Sequence, residues 1–342
     1  MSEHLSSALA RRDFACAERF QRTLPVVVTT ASATYARVLE AWSTRLDAYG
    51  VAQRVVIALG LGVDAACRVR YDVASPDLLA GIIGLSKFEV SRALLERGHR
   101  VLYSELDVVW LADAYAAAAA ALAGRSGGSF DAADAVAAMD NERDDELNVG
   151  FVLATPGPRT REFYSRLVAG WRGALAAAGG RVPFARDQAF FWATLRDGGP
   201  DFARLDKRVF AKLTKRGDRP RAVREDPRVA CFHVTGLATD LKLTIVRRLY
   251  EGGGVGDVLR WADEAAGAER IAVAAARRAP PAPSNRAMVE RIKAAQARRA
   301  RGAAPPPAYR APAAVAVAPL LSVLGALGLL RWRRRRRRGN DE

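Results

Sequence analysis

Two carboxylates separated by one residue, Glu105 and Asp107, are the feature of this chain best suited to chemistry. They follow a short apolar run at residues 101–103 and precede a second one at 108–111. Because side chains alternate along an extended segment, both carboxylates are expected on one side, about 7 Å apart. Two like charges at the end of a buried strand are costly to hold without a cation. The spacing therefore predicts an oxygen-ligated divalent metal, Mg²⁺ or Mn²⁺.

An acidic-x-acidic triplet is common, and in isolation a solvated pair is the more frequent interpretation. The elements around this triplet favour a site. A helix that carries Lys87 is predicted over residues 76–98, ending at Gly98, and the strand that follows it delivers the carboxylates. In open α/β sheets, ligands bind beyond the carboxyl ends of the strands.

The segments that position the acidic pair alternate between strand and helix patterns. Apolar runs predict buried strands at residues 23–30 and 54–61, and a 3.6-residue periodicity predicts a helix at 33–49. With the helix at 76–98 and a strand within 101–111, this order is βαβαβ, which predicts a mostly parallel sheet flanked by helices. Further elements are predicted as helices at 112–123, 158–178, 188–195 and 241–250, and strands at 130–138, 149–154 and 229–234.

The composition places most of the positive charge outside the folded part. The chain has 342 residues and a net charge of +16. Residues 263–342 hold 17 basic and 6 acidic residues, so +11 of the charge lies there and +5 in the rest. Because no basic face interleaved with aromatic residues is visible, a nucleic-acid partner is not expected. The predicted organisation is an N-terminal segment at 1–22, a main α/β domain at 23–262, a disordered Pro/Ala/Arg-rich linker at 263–310, a transmembrane candidate at 311–330 and an Arg-rich tail at 331–342.

The transmembrane candidate carries no charged residue and is followed by Arg331, Trp332 and six consecutive arginines. Its length suffices to span a bilayer, and the arginines favour a cytoplasmic C-terminus. Its alanines and two prolines make it only moderately hydrophobic, so a disordered basic tail is the alternative. Residues 1–22 are polar and show no secretory signal.

The three cysteines, Cys16, Cys67 and Cys231, are scattered and odd in number. They predict no disulfide framework, and their spacing is not that of metal ligands. Cys231, next to Phe232, is predicted to be a small core residue.

Six short segments, taken in order, resemble the nucleotide-diphospho-sugar transferase family, which includes plant and algal cell-wall arabinosyl- and xylosyltransferases. The likeness extends from about residue 24 to residue 250. The segments are the strand at 26–30, Lys87, S-E-L-D-V-V-W-L at 104–111, N-V-G-F at 148–151, Asp187-Gln188, and F-H-V-T-G at 232–236 with Lys242 after it. The resemblance implies a GT-A type glycosyltransferase that uses a nucleotide sugar, expected to be UDP-linked, and Mn²⁺ or Mg²⁺. It also implies a glycan or glycoprotein acceptor and a Golgi or endomembrane location.

The resemblance further implies roles for individual residues. Glu105, Asp107 and His233 would hold the metal, with Asp107 as the direct ligand; a core histidine is the alternative for His233. Asp107, Asp187 and Gln188 would act at the reacting sugar, although Asp187 also suits a helix N-cap. The residues expected to bind the donor are Thr29, Thr30, Lys87, Glu105, Asn148, Gly150, Gly236 and Lys242, the two lysines through diphosphate oxygens.

Three departures from the family pattern are visible. Glu105 stands where aspartate is usual, Ala114 where proline is common, and an N-terminal membrane span is missing. A catalytically inactive GT-A-like binding module associated with a membrane is therefore the alternative function. The two hypotheses differ in whether Glu105, Asp107 and His233 converge within metal-ligand distance.

Overall fold

The computed structural model of the protein describes residues 15–60, 65, 67–71, 73, 76–125, 134–141, 146–177, 187–206, 209–213, 229–234, 239–251, 257–258 and 261. Gly236 and the segments predicted as linker, transmembrane candidate and Arg-rich tail lie outside these residues. Within the part of the chain that is described, none of the helices combines the length and apolar character needed to cross a bilayer.

The main sheet of the described chain consists of β1 (Val26–Ser32), β2 (Arg54–Leu59), β3 (Arg68–Tyr71), β4 (Val101–Ser104), β6 (Ala135–Asn141), β7 (Glu146–Ala154) and β8 (Asp201–Leu205). These strands lie in the order β3-β2-β1-β4-β7-β6-β8. β1 pairs in parallel with both β2 and β4, β2 with β3, and β6 with β8, whereas β7 is antiparallel to both β4 and β6. The predicted mixed α/β fold with a mostly parallel sheet is confirmed.

Helices cover both faces of this sheet. They are α1 (Ala36–Ala48), α2 (Pro76–Glu96), α3 (Ala114–Arg125), α4 (Pro158–Ala177), α5 (Asp187–Arg196) and α6 (Thr239–Tyr250). Along β1, Val27 belongs to the core beneath α1, α3 and α6, while Val26 and Val28 belong to the core beneath α2, α4 and α5. Both faces are buried, which explains why the parallel strands are apolar runs.

A second, smaller sheet was not predicted. It consists of β5 (Val108–Trp110), β10 (Cys231–Val234) and β9 (Phe210–Leu213), with β10 in the middle. β10 is antiparallel to β5 and parallel to β9. The segment predicted to contain one strand at 101–111 therefore contains two, β4 and β5, in different sheets. The chain changes sheet at Glu105–Asp107.

The other sequence-based boundaries are close to the observed ones. The helix expected at 33–49 begins with a 3₁₀ turn at Ala33–Tyr35 and becomes α-helical at Ala36. α2 ends at Glu96, and Gly98 follows with φ +84°, a conformation that glycine adopts without strain. The strand expected at 130–138 is observed as β6 from Ala135 onward.

The prediction concerning the cysteines was wrong. Cys16 and Cys67 form a disulfide, which joins the short 3₁₀ helix Ala15–Arg19 to the residue preceding β3. Cys231 is free and buried in β10, as expected. An odd count does not exclude one bridge plus one core thiol. The two partners are 51 residues apart, and only the folded chain brings them together.

Candidate active site

The acidic pair lies where the sheet changes its direction of winding. From β1 the chain proceeds outward through β2 and β3 on one side, then returns to place β4 on the other side of β1. Between two such parallel strands the carboxyl ends leave a crevice, which is the usual ligand position in doubly wound sheets. Glu105 is the first residue after β4, and Tyr35 lies in the 3₁₀ turn after β1. Both residues therefore lie at this crevice.

Glu105, Leu106 and Asp107 form a turn. The Val108 amide donates a 3.0 Å hydrogen bond to the Glu105 carbonyl oxygen, and the Leu106 side chain is buried. The expectation of an extended segment with carboxylates about 7 Å apart was therefore wrong. The chain turns here because β4 and β5 belong to different sheets, and the turn leaves both carboxylates on the same side.

His233 reaches the acidic pair through the register of the small sheet. It lies opposite Val108 in the β10–β5 ladder, and the Val234 amide donates a 2.9 Å hydrogen bond to the Asp107 carbonyl. His233 Nε2 lies 3.3 Å from Asp107 Oδ1 and 3.5 Å from Glu105 Oε2. One ligand atom of each residue lies within 4.8 Å of the others. The three residues expected to hold a metal therefore converge.

The Glu105–Asp107–His233 cluster fits a divalent cation by its chemistry. Asp107 Oδ1 is buried and, although His233 Nε2 lies 3.3 Å away, it accepts no well-directed hydrogen bond from the described residues; His233 Nδ1 is likewise buried without a hydrogen-bond partner among them. Leaving a buried carboxylate oxygen unpaired is costly, and a cation removes that cost. Two carboxylates and an imidazole suit Mn²⁺, and the oxygen ligands also suit Mg²⁺.

Gly150 provides the space for this cluster. It lies on β7 opposite the end of β4, and its carbonyl accepts a 2.7 Å hydrogen bond from the Glu105 amide. A Cβ at this position would lie 2.6 Å from His233 Cε1 and 2.7 Å from Glu105 Oε2. Asn148 Oδ1 accepts a 2.8 Å hydrogen bond from the Gly150 amide. The glycine is therefore required for close approach rather than for an unusual backbone angle.

Two lysines neutralise the carboxylates from opposite sides. Lys87, on α2, forms ion pairs with Glu105 at 3.2 Å and with Asp187. Lys242, on α6, lies 2.6 Å from Asp107 Oδ2. The Lys87 side chain is 3% exposed and that of Lys242 is 20% exposed. Only Lys242 is therefore accessible to a bound ligand without rearrangement.

The charges of these groups are mutually stabilised. Burial lowers the pKa of Lys87, but Asp187 and then Tyr103 and Glu105 outweigh burial and hold that pKa above the ordinary value of a lysine. Burial likewise raises the pKa of Glu105, yet Lys87 and His233 hold it well below its usual range. For Lys242, Asp107 is the group that overcomes burial and raises the pKa. Lys87, Glu105 and Lys242 are therefore all stabilised in their charged forms.

The remaining residues predicted for the site lie at different depths. Thr29 is fully buried, and Thr30 Oγ1 lies 3.0 Å from the Tyr103 hydroxyl, in hydrogen-bond contact. Asp187 and Gln188 begin α5, and the Gln188 amide donates a 2.8 Å hydrogen bond to Asp187 Oδ1. Their contacts with a donor stay predictions, as does the role of Gly236.

Two tyrosines of the site were missed by sequence reasoning. Tyr35 follows β1; burial raises its pKa, with Lys242, Asp107 and Glu105 as the charges that act on it. Tyr103 is buried, and its ring lies 5.0 Å from Lys87 Nζ. The available signals were an aromatic residue in the turn after the first strand and another directly before the acidic motif.

The sequence profile of the nucleotide-diphospho-sugar transferase family matches residues 81–244. This segment contains most of α2, the acidic turn, β7, all of α5, β10 and the first half of α6. This match confirms, over that segment, the resemblance seen in the sequence. The chain is therefore a glycosyltransferase of the nucleotide-sugar type, as the resemblance implied. No curated protein sequence matches the chain.

The glycosyltransferase domain is similar to several solved structures at low sequence identity. Galactosyltransferase LgtC in complex with donor and acceptor sugar analogues is 15% identical, with 70% of this chain and 95% of that chain covered and a TM-score of 0.40. Apo mouse xyloside xylosyltransferase 1 is 15% identical, with 62% and 97% covered and a TM-score of 0.34. The apo glycosyltransferase GlyE of Streptococcus pneumoniae TIGR4 is 11% identical, with 71% and 64% covered and a TM-score of 0.38.

Glu105→Asp is expected to lower kcat/KM of the glycosyltransferase by no more than about tenfold, about 1.4 kcal/mol of barrier. The shorter side chain keeps the negative charge that faces Lys87 at 3.2 Å. Initial rates are measured in parallel for Glu105→Gln, which keeps the side-chain length but loses the charge. The comparison separates the effect of side-chain length from the effect of charge. A hundredfold loss in Glu105→Asp would show that the longer reach to both Lys87 and His233 is required.

Proposed function

We propose that this glycosyltransferase is metal-dependent and moves a sugar from a UDP-linked donor to a glycan or glycoprotein acceptor. The observation that supports the metal requirement is the convergence of Glu105, Asp107 and His233 at the crevice between β1 and β4. The same convergence favours an enzyme over an inactive binding module. The family supports the nucleotide-sugar donor.

Glycosyl transfer places negative charge on the leaving diphosphate as the bond to the sugar breaks. Glu105, Asp107 and His233 would hold a Mn²⁺ or Mg²⁺ ion, which when bound supplies Lewis-acid stabilisation of that charge. Lys242 adds a second positive charge at the accessible side of the cluster, and its ammonium can exchange Asp107 for a diphosphate oxygen. Pre-positioned charges of this kind lower the barrier because they need no reorganisation during the reaction.

The donor sugar is assigned to the side of the cluster lined by β7 and α5. Asn148 and Gly150 allow close approach there, while Asp187 and Gln188 present groups that can hydrogen-bond sugar hydroxyls. Thr30, near the carboxyl end of β1, and Tyr35 after it would contact the nucleotide in this proposal. Thr29 and Gly236 belong to the same nucleotide-binding proposal, Thr29 through its backbone because its side chain is buried.

The proposal is tested by incubating the purified full-length chain with a panel of UDP-, GDP- and CDP-sugars and measuring nucleotide release. Each donor is tried with Mn²⁺, with Mg²⁺ and with EDTA. We expect release from a UDP-sugar that depends on the divalent ion and increases with an acceptor glycan. Equal release in EDTA would contradict the metal requirement. Metal-dependent UDP binding without turnover of any donor would favour the binding module.

We further propose that residues 311–330 anchor the protein in an endomembrane such as that of the Golgi. The uncharged stretch is long enough to span, and the following arginines would hold its end at an anionic cytoplasmic surface. Full-length protein is expected to stay in the membrane pellet after a high-salt or carbonate wash, and the chain cut at Gly302 to remain in the supernatant. Release of the full-length chain by salt alone would indicate a peripheral basic tail, which binds only by screened charge.

A further inference from the structure

Helix α2 carries a cation into the interior beside the proposed metal cluster. Lys87 Nζ contacts Asp187 Oδ2 and lies 3.2 Å from Glu105 Oε1. The ring of Tyr103 lies 5.0 Å from the same ammonium, within the range of a cation–π contact. The Lys87 side chain is 3% exposed, and its ammonium already pairs with two carboxylates. It therefore has little capacity to bind a ligand as well.

The approach of Asp187 to Lys87 depends on a glycine one helical turn earlier. A Cβ on Gly84 would lie 3.2 Å from the Asp187 Cβ and 2.8 Å from Trp171 Cζ2. Gly84 and Lys87 are three residues apart and therefore share a face of α2. The absence of a side chain at Gly84 leaves room for the start of α5 next to the Lys87 ammonium. The Trp171 indole N–H also donates a 2.9 Å hydrogen bond to the Gly81 carbonyl, which fixes α4 against α2.

We propose that Lys87 is a positioning residue that ties Asp187 to Glu105, and does not bind the diphosphate. This inference rests on the proposed function, in which Asp187 acts on the sugar and Glu105 belongs to the metal cluster. The shared ammonium holds the two carboxylates at a constant separation. Asp187, which would bind the sugar, and Glu105 of the metal cluster are thereby held in one rigid unit.

A diphosphate ligand and a positioning residue have different consequences when they are removed. Loss of a diphosphate ligand weakens binding of the nucleotide itself. Loss of the positioning residue releases Asp187, which would contact the sugar and not the nucleotide, while Asp107 and His233 remain to hold the metal. UDP affinity should therefore change little, and turnover of the sugar should fall. Lys242, which is 20% exposed and contacts Asp107, provides the contrasting case in the same site.

The experiment compares Lys87→Met with Lys242→Met in the full-length chain. Calorimetry in the presence of Mn²⁺ measures UDP affinity, and initial rates measure kcat/KM for the UDP-sugar. For Lys87→Met we expect less than a threefold change in UDP affinity and at least a hundredfold loss of kcat/KM. For Lys242→Met we expect at least a tenfold loss of UDP affinity. Arg92→Met is the control, because Arg92 is a cation on the same helix that instead contacts Glu96 at 3.4 Å. This variant should change neither UDP affinity nor kcat/KM more than twofold.

A double-mutant cycle with Asp187→Asn tests whether Lys87 acts through Asp187. If it does, Lys87→Met combined with Asp187→Asn should lower kcat/KM by no more than threefold beyond the worse single variant. The double variant also removes both charges of the buried pair, so it should fold even where Lys87→Met alone is destabilised. Additive losses, or a fall in UDP affinity in Lys87→Met that equals that of Lys242→Met, would overturn the proposal.

The same cycle measured by urea unfolding without ligand separates this inference from the proposed function. The double variant should have a higher midpoint than the sum of the single effects predicts, because Lys87→Met alone leaves the Asp187 carboxylate without its cation, and Asp187→Asn alone leaves Lys87 with one carboxylate partner fewer. Additivity in unfolding would overturn the coupling of Lys87 to Asp187. A wild-type chain that turns over no nucleotide sugar would overturn the proposed function, while the unfolding cycle would still decide the coupling.

Discussion

Asp107→Asn is expected to lower kcat/KM of this glycosyltransferase at least a thousandfold, about 4 kcal/mol of barrier. Asparagine keeps the shape of the side chain but removes the charge from the most buried carboxylate of the cluster, which lies 3.3 Å from His233 Nε2. Affinity for Mn²⁺, measured by electron paramagnetic resonance without nucleotide, should fall at least a hundredfold. Because this binding measurement needs no donor, it separates loss of the metal from loss of substrate.

The stability of Asp107→Asn should change little. The substitution removes the 2.6 Å contact with Lys242, which is partly exposed, and also removes the repulsion between Asp107 and Glu105. These effects oppose one another, so we expect the melting temperature to shift by only a few degrees.

Asp113→Asn is the matched control for this variant. Its carboxylate accepts a 2.9 Å hydrogen bond from the Ala116 amide at the exposed start of α3, and asparagine caps a helix equally well. This variant removes the same charge close by in the sequence and should retain full activity. Retention of more than a tenth of the activity in Asp107→Asn would contradict the metal assignment.

Gly150→Ala is expected to lower Mn²⁺ affinity and kcat/KM at least a hundredfold without removing any ligand. The new methyl group would lie 2.6 Å from His233 Cε1 and 2.7 Å from Glu105 Oε2, closer than such atoms can approach. The Glu105 carboxylate can rotate away, but the His233 ring is held by β10 and is almost fully buried. The ligands must therefore separate, and the cluster loses the spacing that a cation requires.

Val149→Ala is the control for this substitution. Because neighbouring residues of a strand face opposite sides, Val149 packs in the core beneath α2, α4 and α5. Its truncation should lower the melting temperature but leave Mn²⁺ affinity within threefold of wild type. If Gly150→Ala lost stability without losing affinity for the ion, Gly150 would have a packing role only.

Local patterns in the sequence predicted several of the strands of the main sheet and several of the helices that flank it. The apolar run that contains Val26–Val28 predicted a strand buried on both faces, because parallel strands between two helical layers have no polar side. The spacing of Val38, Leu39, Trp42 and Leu46 predicted α1, since residues three and four apart share one face of a helix. The order of such elements implied a parallel sheet, and residue types in six segments identified the family and the candidate ligands.

The tertiary structure alone determined how those residues meet. Glu105 and Asp107 lie in a turn because β4 and β5 join different sheets, and His233 reaches them through the register of β10 against β5. Lys87 was predicted to contact the diphosphate, and the fold buries it beside Asp187. The Cys16–Cys67 disulfide likewise joins segments with no local relation. Periodicity in the sequence indicates which face of a helix or strand is buried. These contacts depend instead on how distant segments pair and pack, which is determined only when the whole chain folds.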